Sequence, residues 1–81
     1  MEEAGDDGWE RWVDHIFSVG TPAKEYEGLS LHEAAEEARR RGVTAVRVAH
    51  RGEHKAWTFD RRPDRLSLAV VDNRVVKACF V

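Results

Sequence analysis

The stretch His50-Arg51-Gly52-Glu53-His54-Lys55-Ala56-Trp57-Thr58-Phe59-Asp60-Arg61-Arg62-Pro63-Asp64-Arg65 decides how the chain is folded. Two readings compete for it. In the first, Ala56 to Phe59 is one more strand of an antiparallel meander, entered through a turn at Arg51-Gly52-Glu53 and left through one at Arg61-Arg62-Pro63-Asp64. Alternation there is poor, because Ala56, Trp57 and Phe59 do not share one face of a strand. In the second, the whole stretch is a long exposed loop held extended between two strands.

The flanks are easier to read. Leu66-Ser67-Leu68-Ala69-Val70-Val71 has strand composition, Asp72-Asn73 is a two-residue turn, and Arg74 to Phe80 is the returning strand. Pairing across that turn predicts Leu66, Leu68, Val70, Val75 and Cys79 on one face and Ala69, Val71, Val76, Ala78 and Phe80 on the other. Upstream, Val43 to Ala49 reads as a strand. Before it, Ser30-Leu31-His32-Glu33 is a capping box opening a helix with a small apolar face (Leu31, Ala34, Ala35, Ala38). Its acids come first and Arg39-Arg40-Arg41 last, the order a helix dipole favours, and Gly42 ends it.

Near the start, Trp9, Trp12, Val13, Ile16 and Phe17 recur at helical spacing. They predict an amphipathic helix over 7–18, capped by Asp6 or Asp7 and stopped by Gly20-Thr21-Pro22. That stripe needs a cover: the domain's own core, a partner protein, or a second copy of the chain in a homodimer. The expected fold is α+β: one helix packed on a small mixed sheet with a long exposed binding loop, plus the extra N-terminal helix. Expected organisation is an acidic disordered tail over 1–6 and a single domain over 7–81, with the alanine-faced helix on one sheet face and the tryptophan helix on part of the other.

With 81 residues, 42% of them hydrophobic, the chain has room for one domain with a thin core and little room for an enclosed pocket. An enzyme is therefore not expected, and nothing sets a nucleophile beside a base. His50, His54 and Cys79 lack a fourth ligand and metal-site spacing, so neither a metal nor another cofactor is expected. No apolar run reaches the ~20 residues that span a bilayer, so a membrane partner is not expected. An acidic start without a signal peptide and one cysteine predict a cytoplasmic protein in a reducing compartment. Residues 50–81 carry seven Lys/Arg against four acids. Arg51, Lys55, Trp57, Arg61 and Arg62 could stack on and neutralise a nucleic acid strand, but the interspersed acids argue against that partner.

Thr58-Phe59-Asp60-Arg61-Arg62-Pro63-Asp64-Arg65-Leu66-Ser67-Leu68 resembles the Thr-hydrophobic-Asp-Tyr-Arg-Pro-Asp-Arg-Leu-Asn-Val signature of the potato type I serine-protease inhibitors, especially their small bacterial relatives. Gly28-Leu29-Ser30-Leu31-His32-Glu33-Ala34 is similar to the start of that family's single helix, and Val70-Val71-Asp72-Asn73-Arg74-Val75-Val76 to its closing strands. The likeness covers residues 27–81. It implies that the strands before and after the loop run parallel, with the loop bulging from one end. It also implies a reactive loop of Trp57, Thr58, Phe59, Asp60 and Arg61, with the reactive bond between Phe59 and Asp60. Arg65 and Arg62 support the loop, Arg65 by donating to Thr58 and Asp60. The implied partner is a serine protease with a large apolar primary pocket, of chymotrypsin or subtilisin type.

The chain departs from that pattern in several places. Many members carry a second supporting arginine where this chain has Ser67, which leaves half the brace unprovided. Trp57 is bulkier than the usual aliphatic, Gly52 lies further from Thr58, and the terminal glycine is absent. The alternative function on the same fold is a non-inhibitory intracellular protein-interaction module.

Overall fold

The computed structural model describes residues 3–53, 57 and 62–81, with side chains from residue 8 onward. Within them the chain is α+β. Helix α1 (Glu3–Phe17) leads to a two-residue strand β1 (Thr21–Pro22) and a 3-10 turn (Lys24–Tyr26); helix α2 (Leu31–Arg40) and strands β2 (Ala45–His50), β3 (Arg65–Val71) and β4 (Arg74–Phe80) follow. The four strands form one sheet in the order β1-β4-β3-β2.

α2 is set by its ends. Ser30 Oγ accepts from the Glu33 N–H at 3.1 Å, and the Ser30 N–H donates to the Glu33 carboxylate at 3.0 Å, completing the capping box. At the other end Gly42 (φ +83°) donates to the Arg39 carbonyl and Val43 to the Ala38 carbonyl. That pair of bonds is a Schellman cap, so Val43 closes the helix instead of opening the strand, and β2 starts at Ala45.

β2 and β3 pair in parallel, Ala45 opposite Arg65 through His50 opposite Val70. They are immediate neighbours, so no further ribbon lies between them, as the loop reading of residues 51–64 requires. β3 and β4 form the expected hairpin. Asp72 (φ 51°) and Asn73 (φ 64°) both take the left-handed conformation of a type I′ turn.

The face assignment needs one correction. Val70 pairs with Val75 but Ala69 pairs with Lys77, so Val76 is an extra residue in β4. This bulge reverses the alternation beyond it. Ala78 and Phe80 therefore pack with Leu66, Leu68, Val70 and Val75, and Cys79 turns to the opposite face. Val76, left without a ladder partner, is 48% exposed.

Both sheet faces are covered. Ala34 and Ala38 of α2, with Leu31, close over Leu66, Leu68, Val70 and Val75. Trp9, Val13, Ile16 and Phe17 of α1 close over Ala69, Cys79 and Val81. All four of those α1 side chains are at most 3% exposed, so the domain's own sheet covers this stripe. Burial of each such large apolar group contributes about 1.5–3 kcal/mol, which a sheet covered on one side only would forgo. The helix starts at Glu3, inside the segment expected as a tail. The acidic residue types at positions 3, 6 and 7 suit the positive end of a helix dipole.

β1 and the 3-10 turn gave no clear sequence signal. Gly20 lets the chain turn from α1 onto the sheet, because a Cβ there would lie 2.5 Å from the Phe80 carbonyl oxygen. Thr21 and Pro22 then pair with Phe80 and Cys79, and Tyr26 is fully buried in the α2-side core.

Ser30→Ala removes one of the two capping-box bonds and is expected to lower unfolding free energy by about 1 kcal/mol, read as a shifted urea midpoint. The Ser30 N–H and hydroxyl hold the Glu33 carboxyl below its usual range. The stability this supplies is present above the ordinary glutamate pKa and lost as pH falls through the lowered folded value, so the wild-type urea midpoint should fall across that acid interval.

Candidate functional site

The loop departs from β2 at one end of the sheet and returns to β3 at the other, and at the return end Arg65 and Ser67 alternate onto the face that carries Ala69 and α1. Register places Arg47 on β2 directly opposite Ser67 on β3, two residues beyond Arg65. Ser67 is fully buried. A buried hydroxyl needs a partner, and here it accepts from Arg47 Nε at 2.7 Å. The Arg47 Nη2 reaches the Val81 backbone oxygen at 3.4 Å. Arg65 Nε donates to the same oxygen at 2.8 Å, while the Val81 N–H donates back to the Arg65 carbonyl at 3.0 Å. Two guanidinium groups thus converge on one backbone oxygen beside the loop's return point.

Trp57 completes the cluster. The Arg47 guanidinium carbon lies 4.0 Å from its ring centroid. Trp12 packs on it at 5.1 Å between ring centroids and Phe17 at 6.4 Å. A cation over an indole face contributes about 0.5–2 kcal/mol, and a tilted aromatic pair about 0.5–1.5 kcal/mol beyond burial. The indole is half-buried against the α1-side core. Its bulk, an oddity in sequence, is explained by what it fills: the gap between α1 and the edge of β2.

The loop begins in a tight turn. The His50 N–H donates to the Glu53 carboxylate at 3.0 Å, the Glu53 N–H to the His50 carbonyl at 2.9 Å, and Gly52 takes φ +88°. At the far end the Arg65 N–H donates to the Arg62 carbonyl at 3.0 Å, and the exposed Arg62 side chain pairs with Asp64 at 3.7 Å. Thr58, Phe59, Asp60 and Arg61 lie outside the described residues, as do the expected bonds from Arg65 to Thr58 and Asp60.

Of the residues singled out in sequence, Trp57 and Arg65 come together at this end of the sheet. Arg62 is exposed and pairs with Asp64. Arg47, Trp12, Phe17 and Val81 were not anticipated as part of the site. Arg47 had a signal: it is the charged residue between Val46 and Val48, and parallel in-register pairing sets it against Ser67. Cys79 and His50 do not converge, for His50 is exposed at the end of β2 and Cys79 is buried under α1. No family model, curated protein or solved structure matches the chain. No helix among the described residues is long and apolar enough to cross a membrane.

Burial pushes the Cys79 thiol up to about 11, against the opposing pull of the Arg47 and Lys77 charges. The native protein should therefore react with a thiol reagent at pH 8 at least a hundredfold more slowly than the urea-unfolded chain, followed by mass.

Proposed function

We propose that this protein inhibits serine proteases by presenting residues 57–61 as a substrate-like loop with the reactive bond Phe59-Asp60. The observation that carries the reading is the parallel β2–β3 pair joined by residues 51–64, the connection that the inhibitor resemblance demands and an antiparallel meander forbids. The capped helix α2, the single α-helix among the described residues of the 27–81 segment, and the β3–β4 hairpin agree with it.

The chemistry follows from restraint. A serine protease attacks the carbonyl of the residue in its primary pocket, and the amine of the cleaved bond must then leave before water can enter. If the Asp60 amine stays beside the acylated Phe59 carbonyl, religation competes with hydrolysis. Binding is also tightened, because a loop already extended loses little entropy on docking. Phe59 suits a large apolar pocket, as in chymotrypsin- or subtilisin-type enzymes. Arg65, whose Nε donates to the Val81 oxygen at the loop's return point, is the residue that braces this segment in this reading.

A second reading, a protein-binding module without inhibitory action, draws on the burial of Trp57, which withholds one loop side chain from a docking partner.

Titration of subtilisin and chymotrypsin with the wild-type protein should give stoichiometric loss of activity. Phe59→Gly should weaken inhibition at least a hundredfold, a loss of about 3 kcal/mol. Arg65→Ala should be cleaved after Phe59, identified by mass. Wild type that leaves both enzymes fully active, with no cleavage at that bond, would favour the binding module.

A further inference from the structure

We infer that α1, acting with Arg47, is a clamp on the loop: Trp12, Phe17 and Arg47 are positioning residues that hold Trp57 and thereby limit the freedom of the chain that follows it. The inference rests on the inhibitory reading for its consequence, but its geometry stands independently.

Three observations converge. The first is that the sequence lacks the second supporting arginine on β3, where Ser67 stands, and a guanidinium from β2 takes a place beside it. Arg47 is opposite Ser67 in register and bonded to it at 2.7 Å. Serine is small enough to leave room for Arg47 beside it, and its hydroxyl accepts from the guanidinium Nε while Nη2 reaches the Val81 oxygen. The second is that the same guanidinium stacks on Trp57 at 4.0 Å, so the brace acts on the loop's side chain directly. The third is that the opposing wall of the indole site comes from α1, outside the 27–81 segment that carries the resemblance. Trp12 and Phe17 supply it, and the buried Trp9, Val13 and Ile16 tie the helix to the sheet. Trp57 immediately precedes Thr58 and the proposed reactive bond. A fixed indole there removes backbone freedom at the position entering the enzyme's cleft. It also explains how a loop without a disulfide gains a second anchor besides Arg65.

The test compares wild type with Arg47→Ala, Arg47→Lys and Trp12→Ala in the full chain. Hydrogen exchange is measured in peptides containing Trp57 and in peptides from α2 and β3. In parallel, cleavage of the Phe59–Asp60 bond by subtilisin is followed by mass. Exchange at the Trp57 peptide should rise at least tenfold in Arg47→Ala and Trp12→Ala, with α2 and β3 peptides within twofold of wild type. Cleavage should accelerate at least tenfold in both, and Arg47→Lys, which keeps the charge but loses the planar fork, should fall between. Unchanged exchange at Trp57 in both alanine variants would overturn the clamp, whatever the protease data show. A global rise in exchange, equal in α2 and β3, would likewise overturn it in favour of a purely structural role. If the wild-type chain fails to inhibit while the Trp57 peptide still loosens selectively, the clamp stands and the inhibitory reading falls.

Discussion

Everything at the candidate site depends on β2 and β3 running in the same direction. Two adjacent parallel strands cannot be joined by a tight turn, because the chain must return along the sheet before the second can begin. β2 is six residues long, so that return covers about 20 Å. Most proteins spend a helix on such a crossover, whereas the segment here carries glycine, proline and charge. The connection must leave the sheet and come back to it, and the side chains at the two anchor points decide how tightly its ends are held. Arg65 stands at the return point, and Arg47, opposite Ser67 two residues further along, shares the Val81 oxygen with it.

The smallness of the chain gives α1 its importance. Single-sided burial under α2 would leave Ala69, Cys79 and the neighbouring loop tryptophan without cover. α1 provides the second core layer, and the face that buries Trp9 and Ile16 also presents Trp12 and Phe17 to Trp57. Folding and loop support are thus coupled in one helix. Loss of the helix should affect both, which is why selective exchange at Trp57 is the measurement that separates them.

The legible parts of the sequence were those written in local chemistry. Ser30 and Glu33 announced a capping box, Asp72-Asn73 a turn, and the alternating aliphatics of 66–71 a strand with two apolar faces. The assignment of one helix to each face followed from those patterns. What escaped was set by contacts between distant residues. Nothing local marks Val76 as a bulge, and that one extra residue sends Cys79 to the α1 side. Val43 looked like a strand residue by type, yet its N–H is claimed by the Ala38 carbonyl. The partners of Trp57 lie on α1 and β2, so its role could be found only once those elements were placed.

The short strand β1 has a consequence for how the molecule behaves among its own copies. A sheet margin with free amides invites a neighbouring chain to continue the ladder, which is a common start to fibrous assembly. β1 covers the flank of β4 with only Thr21 and Pro22, and the proline has no amide hydrogen to offer. That side of the sheet is therefore finished by a segment too brief and too poor in donors to template another strand.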